Sequence, residues 1–220
     1  MRIGVTVFPG SNCDRDALHA IELMDAEPVE LWHADADLKS VDAVIVPGGF
    51  SYGDYLRPGA IARFAAVMTP LEDFAKSGGP VIGICNGFQV LTEAHLLSGA
   101  LLRNTNTRFI CDRVGVRVET TGTPWTAGCE VGEELMLPVA HNEGNYFADV
   151  ETLERLEDEG RVVLRYLDNP NGSANDIAGV CSEGRNVVGI MPHPERVSDP
   201  VLGSEDGMRI LRSVLMGAKV

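Results

Sequence analysis

Two short segments carry the residue types for nucleophilic chemistry. Gly83-Ile84-Cys85-Asn86-Gly87 offers a thiol, and far downstream Pro192-His193-Pro194-Glu195 offers an imidazole with a carboxylate two residues on. Together they could form a Cys-His-Glu triad, which is the chemistry of a hydrolase or an acyl-transfer enzyme. The apolar run 80–84 reads as a buried parallel strand that ends at Cys85. The stretch 88–97 has near-helical spacing of Phe88, Leu91, His95 and Leu96. A nucleophile on such a strand-to-helix turn takes a strained backbone, and Gly83 and Gly87 let the chain pass closely, as in a Gly-x-Ser-x-Gly elbow with sulfur for oxygen. The helix N-terminus favours the thiolate, and the Asn86 amide faces the developing oxyanion. The plain alternative is an inert, buried small hydrophobe. Cys13, Cys111, Cys129 and Cys181 read in that way, as packing residues.

His193 follows an apolar run at 187–191 and lies between two prolines, which bias it toward extended geometry. In an extended chain residues i and i+2 share a side. Glu195 would then hold one imidazole nitrogen and leave the other free to take the Cys85 proton. A surface turn with a charged pair is the alternative for His-Pro-Glu taken alone. Pro47-Gly48-Gly49-Phe50 follows a third apolar run at 43–46, and its amides can approach a ligand as a second oxyanion donor, at Gly49. All three segments fall at strand C-terminal ends, the edge where open parallel sheets build their sites.

Strand patterns at 3–7, 29–32, 43–46 and 81–84 alternate with helical patterns at 14–24, 60–68 and 88–97. Such alternation predicts an α/β fold, a doubly wound, mostly parallel, flavodoxin-like sheet with helices on both faces. Strands at 113–119 and 135–140 read as antiparallel additions. A charged helix at 150–159, strands at 162–166, 177–181 and 187–190, and a closing helix at 205–216 complete the expectation. With no linker-like stretch, residues 1–220 read as one domain.

The chain carries 32 acidic and 18 basic residues, a net charge of −14, with three lysines against fifteen arginines. That argues against nucleic-acid binding. No apolar run is long enough to cross a membrane, and the N-terminus enters a strand without a signal-peptide pattern. Five scattered cysteines suggest neither a disulfide framework nor a zinc site. A cytoplasmic protein is expected.

The segment Gly83 to Gln89 and the segment Pro192 to Glu195 resemble the nucleophile and base motifs of class I (triad) glutamine amidotransferases. The eleven residues from Pro47 to Arg57 resemble a signature of one branch, the glutaminase subunits of phosphoribosylformylglycinamidine synthase. Phe8 to Asp14, His141 to Tyr146 and Asn169 to Ser173 match further segments, so the resemblance spans nearly the whole chain. It implies hydrolysis of glutamine to glutamate, with Cys85, His193 and Glu195 catalytic and Gly49 and Asn86 forming the oxyanion hole. It further implies substrate contacts at Gly48, Gln89, His141 and Asn142. Asn142 stands where the family more often has a small residue. The ammonia would pass to a large synthetase subunit (PurL), with a small bridging subunit (PurS), for purine synthesis. ATP and magnesium belong to that partner, and no cofactor or metal is expected in this chain. The segment 51–57, with Tyr52, Tyr55 and Arg57, is the expected partner-facing surface.

Three other readings compete: an amidotransferase serving a different synthetase, a cysteine hydrolase of the same architecture, and a non-catalytic flavodoxin-like binding module. The segment 51–57 separates the first. In many such hydrolases the nucleophile is followed by histidine, where this chain has Asn86. Indifference to loss of Cys85 would mark the third.

Overall fold

The structure, a computed structural model, describes residues 1–217. Its elements are β1 (Arg2–Val7), α1 (Asp14–Leu23), β2 (Glu27–Trp32), β3 (Ala43–Val46), α2 (Met68–Lys76), β4 (Val81–Ile84), α3 (Asn86–Glu93), β5 (Ala100–Leu102), β6 (Ile110–Val118) and β7 (Glu134–His141). After these come β8 (Asn145–Phe147), α4 (Val150–Asp158), β9 (Val162–Tyr166), β10 (Ile177–Cys181), β11 (Val187–Ile190), α5 (Asp206–Leu211) and α6 (Ser213–Gly217). One nine-stranded sheet runs β2-β1-β3-β4-β11-β10-β9-β6-β7. The first five strands are mutually parallel, and each later neighbour pairs antiparallel. The parallel half therefore has flavodoxin-like order, and the antiparallel half is larger than the sequence suggested, because β9 and β10 join β6 and β7 in it.

β3, β4 and β11 (AVIV, VIGI and VVGI) are buried along their whole length. Alternate residues of a strand point to opposite faces, so both faces of this half are covered, as in other parallel sheets. Toward α3 the strands present glycine: a Cβ on Gly83 would meet Gly87 backbone at 2.6 Å, and one on Gly189 would meet Phe88 at 2.1 Å. The missing side chains let α3 lie directly over β4 and β11.

Two expected helices are corrected. Residues 60–68 are not a helix; only Ala62–Phe64 make a single 3-10 turn, and α2 begins at Met68. Pro70 sits in the first turn of α2, where amides lack helical acceptors anyway. The closing helix is broken near Arg212 into α5 and α6. The small β5–β8 ladder escaped notice because three residues are too few to show a two-residue period. Among the described residues no helix is long and apolar enough to cross a membrane.

Candidate active site

Cys85 links β4 to α3 with φ +51° and ψ −106°, the strained turn that the two flanking glycines imply. A Cβ on Gly87 would come within 1.8 Å of Val46 O, so no larger residue fits there. The Cys85 amide donates to Ile190 O at 2.8 Å, which ties the nucleophile to the strand preceding His193. Its thiol lies 3.7 Å from Ala140 O at the end of β7.

His193 and Glu195 are both buried, and Nδ1 of the ring is 2.6 Å from Glu195 Oε1. The pairing is as expected, but its geometry is not an extended strand: Pro194–Val197 form a 3-10 turn started by Pro194. Proline's fixed φ suits the first residue of such a turn. The backbone N–H of His193 donates to Pro138 O at 2.8 Å. Burial works against a charged ring, but the Glu195 carboxylate and then Cys85 hold the imidazole well above its ordinary value. That balance favours a protonated ring beside the Cys85 sulfur. A Cβ on Gly48 would sit 2.6 Å from His193 Cε1 and 3.4 Å from Cys85 Cβ, so Gly48 is the wall between base and nucleophile.

Gly49 has φ +139°, a region that favours glycine. It bridges to Ser11 in the turn after β1, and Cys13 N–H donates to Gly48 O at 3.3 Å. The Asn86 amide opens α3, where helical N–H groups have no intrahelical acceptor. Asn86 thus directly follows Cys85, and Gly49 directly follows Gly48, whose would-be Cβ meets Cys85.

The other named residues lie on the far side of the nucleophile turn from that glycine segment, around Glu143 and Asn104. Gln89 is buried; its amide donates to Glu143 O at 2.6 Å, and its oxygen accepts from Asn86 Nδ2 at 2.9 Å. His141 is buried with Nδ1 3.2 Å from Asn104 Oδ1. Burial, then the nearby charge of His193, push its imidazole down to about 4. Asn142 donates to Glu143 Oε1 at 2.7 Å. A cavity of about 170 Å³ beside the base is lined by Cys13, Gly49, Phe50, Phe109, Ala140 and Arg196, with Asn12 and His193. Gln89, His141 and Asn142 do not line it.

The sequence reading missed several contributors. The Asn86 side chain pins the unusual loop after β3: it accepts from Ser51 N–H at 3.1 Å and donates to Asp54 Oδ1 at 3.1 Å. That loop holds Tyr52, Asp54 and Leu56 at positive φ, which needs such anchoring. Burial raises the Asp54 carboxyl to about 6, against the Asn86 bond and with Glu143 adding to it. Cys13 is no ordinary packing residue. Its sulfur accepts from Arg196 Nη2 at 3.0 Å and bears on the His193 ring. Its place in the turn after β1, on the same sheet edge as Cys85, was the available signal. Cys111 is exposed, so it too does not pack a core, whereas Cys129 and Cys181 are buried.

Cys13, His193 and Glu195 are also the one group with metal-ligand spacing among the described residues. The ring nitrogen facing Glu195 is already taken, and the Arg196 guanidinium beside Cys13 opposes a cation.

Residues 1–208 match the CobB/CobQ-like glutamine amidotransferase domain. The chain belongs to that family. The phosphoribosylformylglycinamidine synthase subunit PurQ of Rubrobacter xylanophilus is 80% identical over 220 residues, covering 100% of both chains. The corresponding PurQ of Trichormus variabilis is 55% identical over 217 residues, 98% of this chain and 97% of the other. Among solved structures, a chain of PurLQS from Thermotoga maritima superposes with a TM-score of 0.91 at 45% identity, covering 99% of each. In this amidotransferase the elbow, the base and the glycine turn all stand at the C-terminal ends of parallel strands: β4, β11 and β3 respectively.

Proposed function

We propose that this amidotransferase is the glutamine-hydrolysing subunit of a phosphoribosylformylglycinamidine synthase. It would release ammonia for a partner that converts formylglycinamide ribonucleotide to formylglycinamidine ribonucleotide in purine synthesis. End-to-end 80% identity with a PurQ subunit carries the reading.

Cys85 thiolate attacks the side-chain carboxamide carbon of glutamine, forming the C–S bond. Amides of Gly49 and Asn86 receive the oxyanion, worth roughly 3–4 kcal/mol per donor. His193, oriented by Glu195 at 2.6 Å, gives its proton to the departing nitrogen, and the C–N bond breaks to release ammonia. Water then attacks the glutamyl thioester, His193 takes its proton, and the C–S bond breaks, so that glutamate leaves with the Cys85 thiolate and the protonated His193 restored. Gly48 keeps the space between base and nucleophile clear. Gln89 and Asn142 reach substrate by exchanging their present bonds around Glu143. His141, neutral at working pH, shapes that side of the pocket.

The partners are the large ATP-dependent synthetase subunit (PurL) and the small bridging subunit (PurS), and the compartment is the cytoplasm. ATP and magnesium act on the partner, and this chain brings no cofactor. The segment 51–57 is the docking surface: Tyr55 and Leu56 are 74% and 91% exposed, while Arg57 is braced by Glu93 at 2.6 and 2.7 Å. Ammonia is largely protonated near neutral pH, so direct transfer across this surface preserves its nucleophilicity.

The test is glutamate release by the chain alone and mixed with the synthetase subunits, with Cys85→Ala as control. Activity that rises sharply in the mixture and vanishes in the variant is expected. No release in either setting, from folded protein, would remove the reading.

A further inference from the structure

Residues 169–173 lie outside the catalytic triad, yet their side chains reach the substrate side of the nucleophile. Gln89 stands one turn along α3 from Cys85, with its N–H donating to Cys85 O at 3.2 Å. One turn advances about 5.4 Å, so a glutamine whose carboxamide meets the sulfur brings its amino-acid end to Gln89. The strip 140–143 runs along the same path. Ala140 O lies 3.7 Å from the Cys85 thiol, and Glu143 O accepts from Gln89 Nε2 at 2.6 Å.

The far part of that strip has no strand to hold it, because β7 ends at His141 and β8 begins at Asn145. Two asparagines hold it instead. Asn104, in the β5–β6 connection, accepts from the Gly144 N–H at 3.0 Å and donates from Nδ2 to His141 O at 3.0 Å, while its own N–H donates to Asn142 O at 2.9 Å. Asn171, between β9 and β10, donates from Nδ2 to Gly144 O at 2.9 Å. Their exposures are 1% and 0%. A buried amide is costly unless its groups are bonded. Each asparagine draws part of its bonding from the strip, so displacing the strip would strand a buried polar group. The two loops are also tied to each other, Thr105 N–H donating to Asn171 O at 3.0 Å. A Cβ on Gly144 would meet the His141 ring at 2.3 Å, so no larger residue fits inside this clamp.

Gly144 is thus gripped at both its N–H and its C=O, and the carbonyl just before it in the chain is the one that holds Gln89. On the glutamine-hydrolysing reading, we infer that Asn104 and Asn171 are positioning residues: through Gly144 they fix Glu143 O and Gln89 where the amino-acid end of glutamine binds. Among the described residues neither asparagine bonds to the triad. Cys85 and His193 are anchored separately, by Ile190 O and Pro138 O. Loss of the clamp therefore loosens the remote end of the substrate and leaves the reactivity of the nucleophile in place.

The experiment takes two readings on the full chain with its synthetase subunits. One is steady-state glutamate release from glutamine. The other is alkylation by iodoacetamide, which carries a carboxamide but no amino-acid end, followed on the Cys85 peptide by mass spectrometry because Cys111 is exposed. Asn171→Ala should raise KM for glutamine at least about tenfold, the cost of one buried hydrogen bond, with kcat falling less than KM rises. Cys85 alkylation should stay within about threefold of wild type, whereas a merely structural role would move both readings together. If Asn171→Ala does not fold, Ser173→Ala serves. The Ser173 hydroxyl accepts from Tyr146 N–H at 3.0 Å and lies 3.3 Å from Gly144 O, so a severalfold rise in KM is expected. An unchanged KM in the folded variant, or alkylation slowed as much as turnover, overturns the positioning role. Absence of glutamate release from the wild-type complex would instead remove the glutaminase reading beneath it.

Discussion

Replacing Gly48 with alanine would test the packing between base and nucleophile. The added methyl would stand 2.6 Å from His193 Cε1, 3.2 Å from Cys13 Sγ and 3.4 Å from Cys85 Cβ. Carbon contacts settle at about 3.5–4.0 Å, so the ring must retreat by roughly 1 Å. It is poorly placed to do so. Nδ1 is held by Glu195 at 2.6 Å, and the His193 backbone is held by Pro138 O at 2.8 Å. Gly48 is not among the positive-φ glycines, so alanine adds no backbone strain there and the effect is steric. A misplacement of about 1 Å costs on the order of 100-fold in rate, or about 2.7 kcal/mol of transition-state stabilisation. Overpacking should cost a further 1–3 kcal/mol or so in folding stability. Steady-state glutamate release in the reconstituted complex, with a thermal melt beside it, reads both. Gly122→Ala, whose nearest contact is 3.4 Å, is the control. The expected result is a large fall in kcat with little change in KM. A folded Gly48→Ala protein with kcat within about threefold of wild type, against the 100-fold expected, would refute the reasoning.

Other outcomes follow from the same contacts. His141 titrates near 4 when folded and near 6.5 when unfolded, so the unfolded chain binds the proton first as pH falls. Stability should drop by about 3 kcal/mol between those values and level off below them; urea melts of His141→Gln should show a shallower acid slope, and parallel slopes would contradict this. Cys13→Ala removes a group that helps to hold the His193 proton. The basic limb of its kcat/KM–pH profile should move to lower pH, and an unmoved limb would mean that Cys13 only fills space. Asn86→Ala strands the Ser51 amide and releases Asp54. A cost of about 1–3 kcal/mol and faster hydrogen exchange at Ser51 are expected, and unchanged exchange would show the loop held by other contacts.

Local covalent constraints account for what the sequence by itself determined. Apolar runs bounded by glycine and proline marked β3, β4 and β11, because buried parallel strands leave no polar residue in the pattern. Gly83 and Gly87 around Cys85 implied the strained turn, since only glycine tolerates 2.6 and 1.8 Å approaches of backbone to a would-be Cβ. The His193–Glu195 pair was legible because only Pro194 stands between its members. Tertiary structure alone decided the rest. It set the order that places β11 beside β4, and with it the meeting of His193 and Cys85. It turned Gln89 inward to Glu143 and brought Cys13 to Arg196, across 183 positions of sequence. It buried Arg161 with the Glu159 carboxylate 2.6 Å from its Nε. Such contacts depend on which strands become neighbours, a global competition for burial that no local spacing encodes.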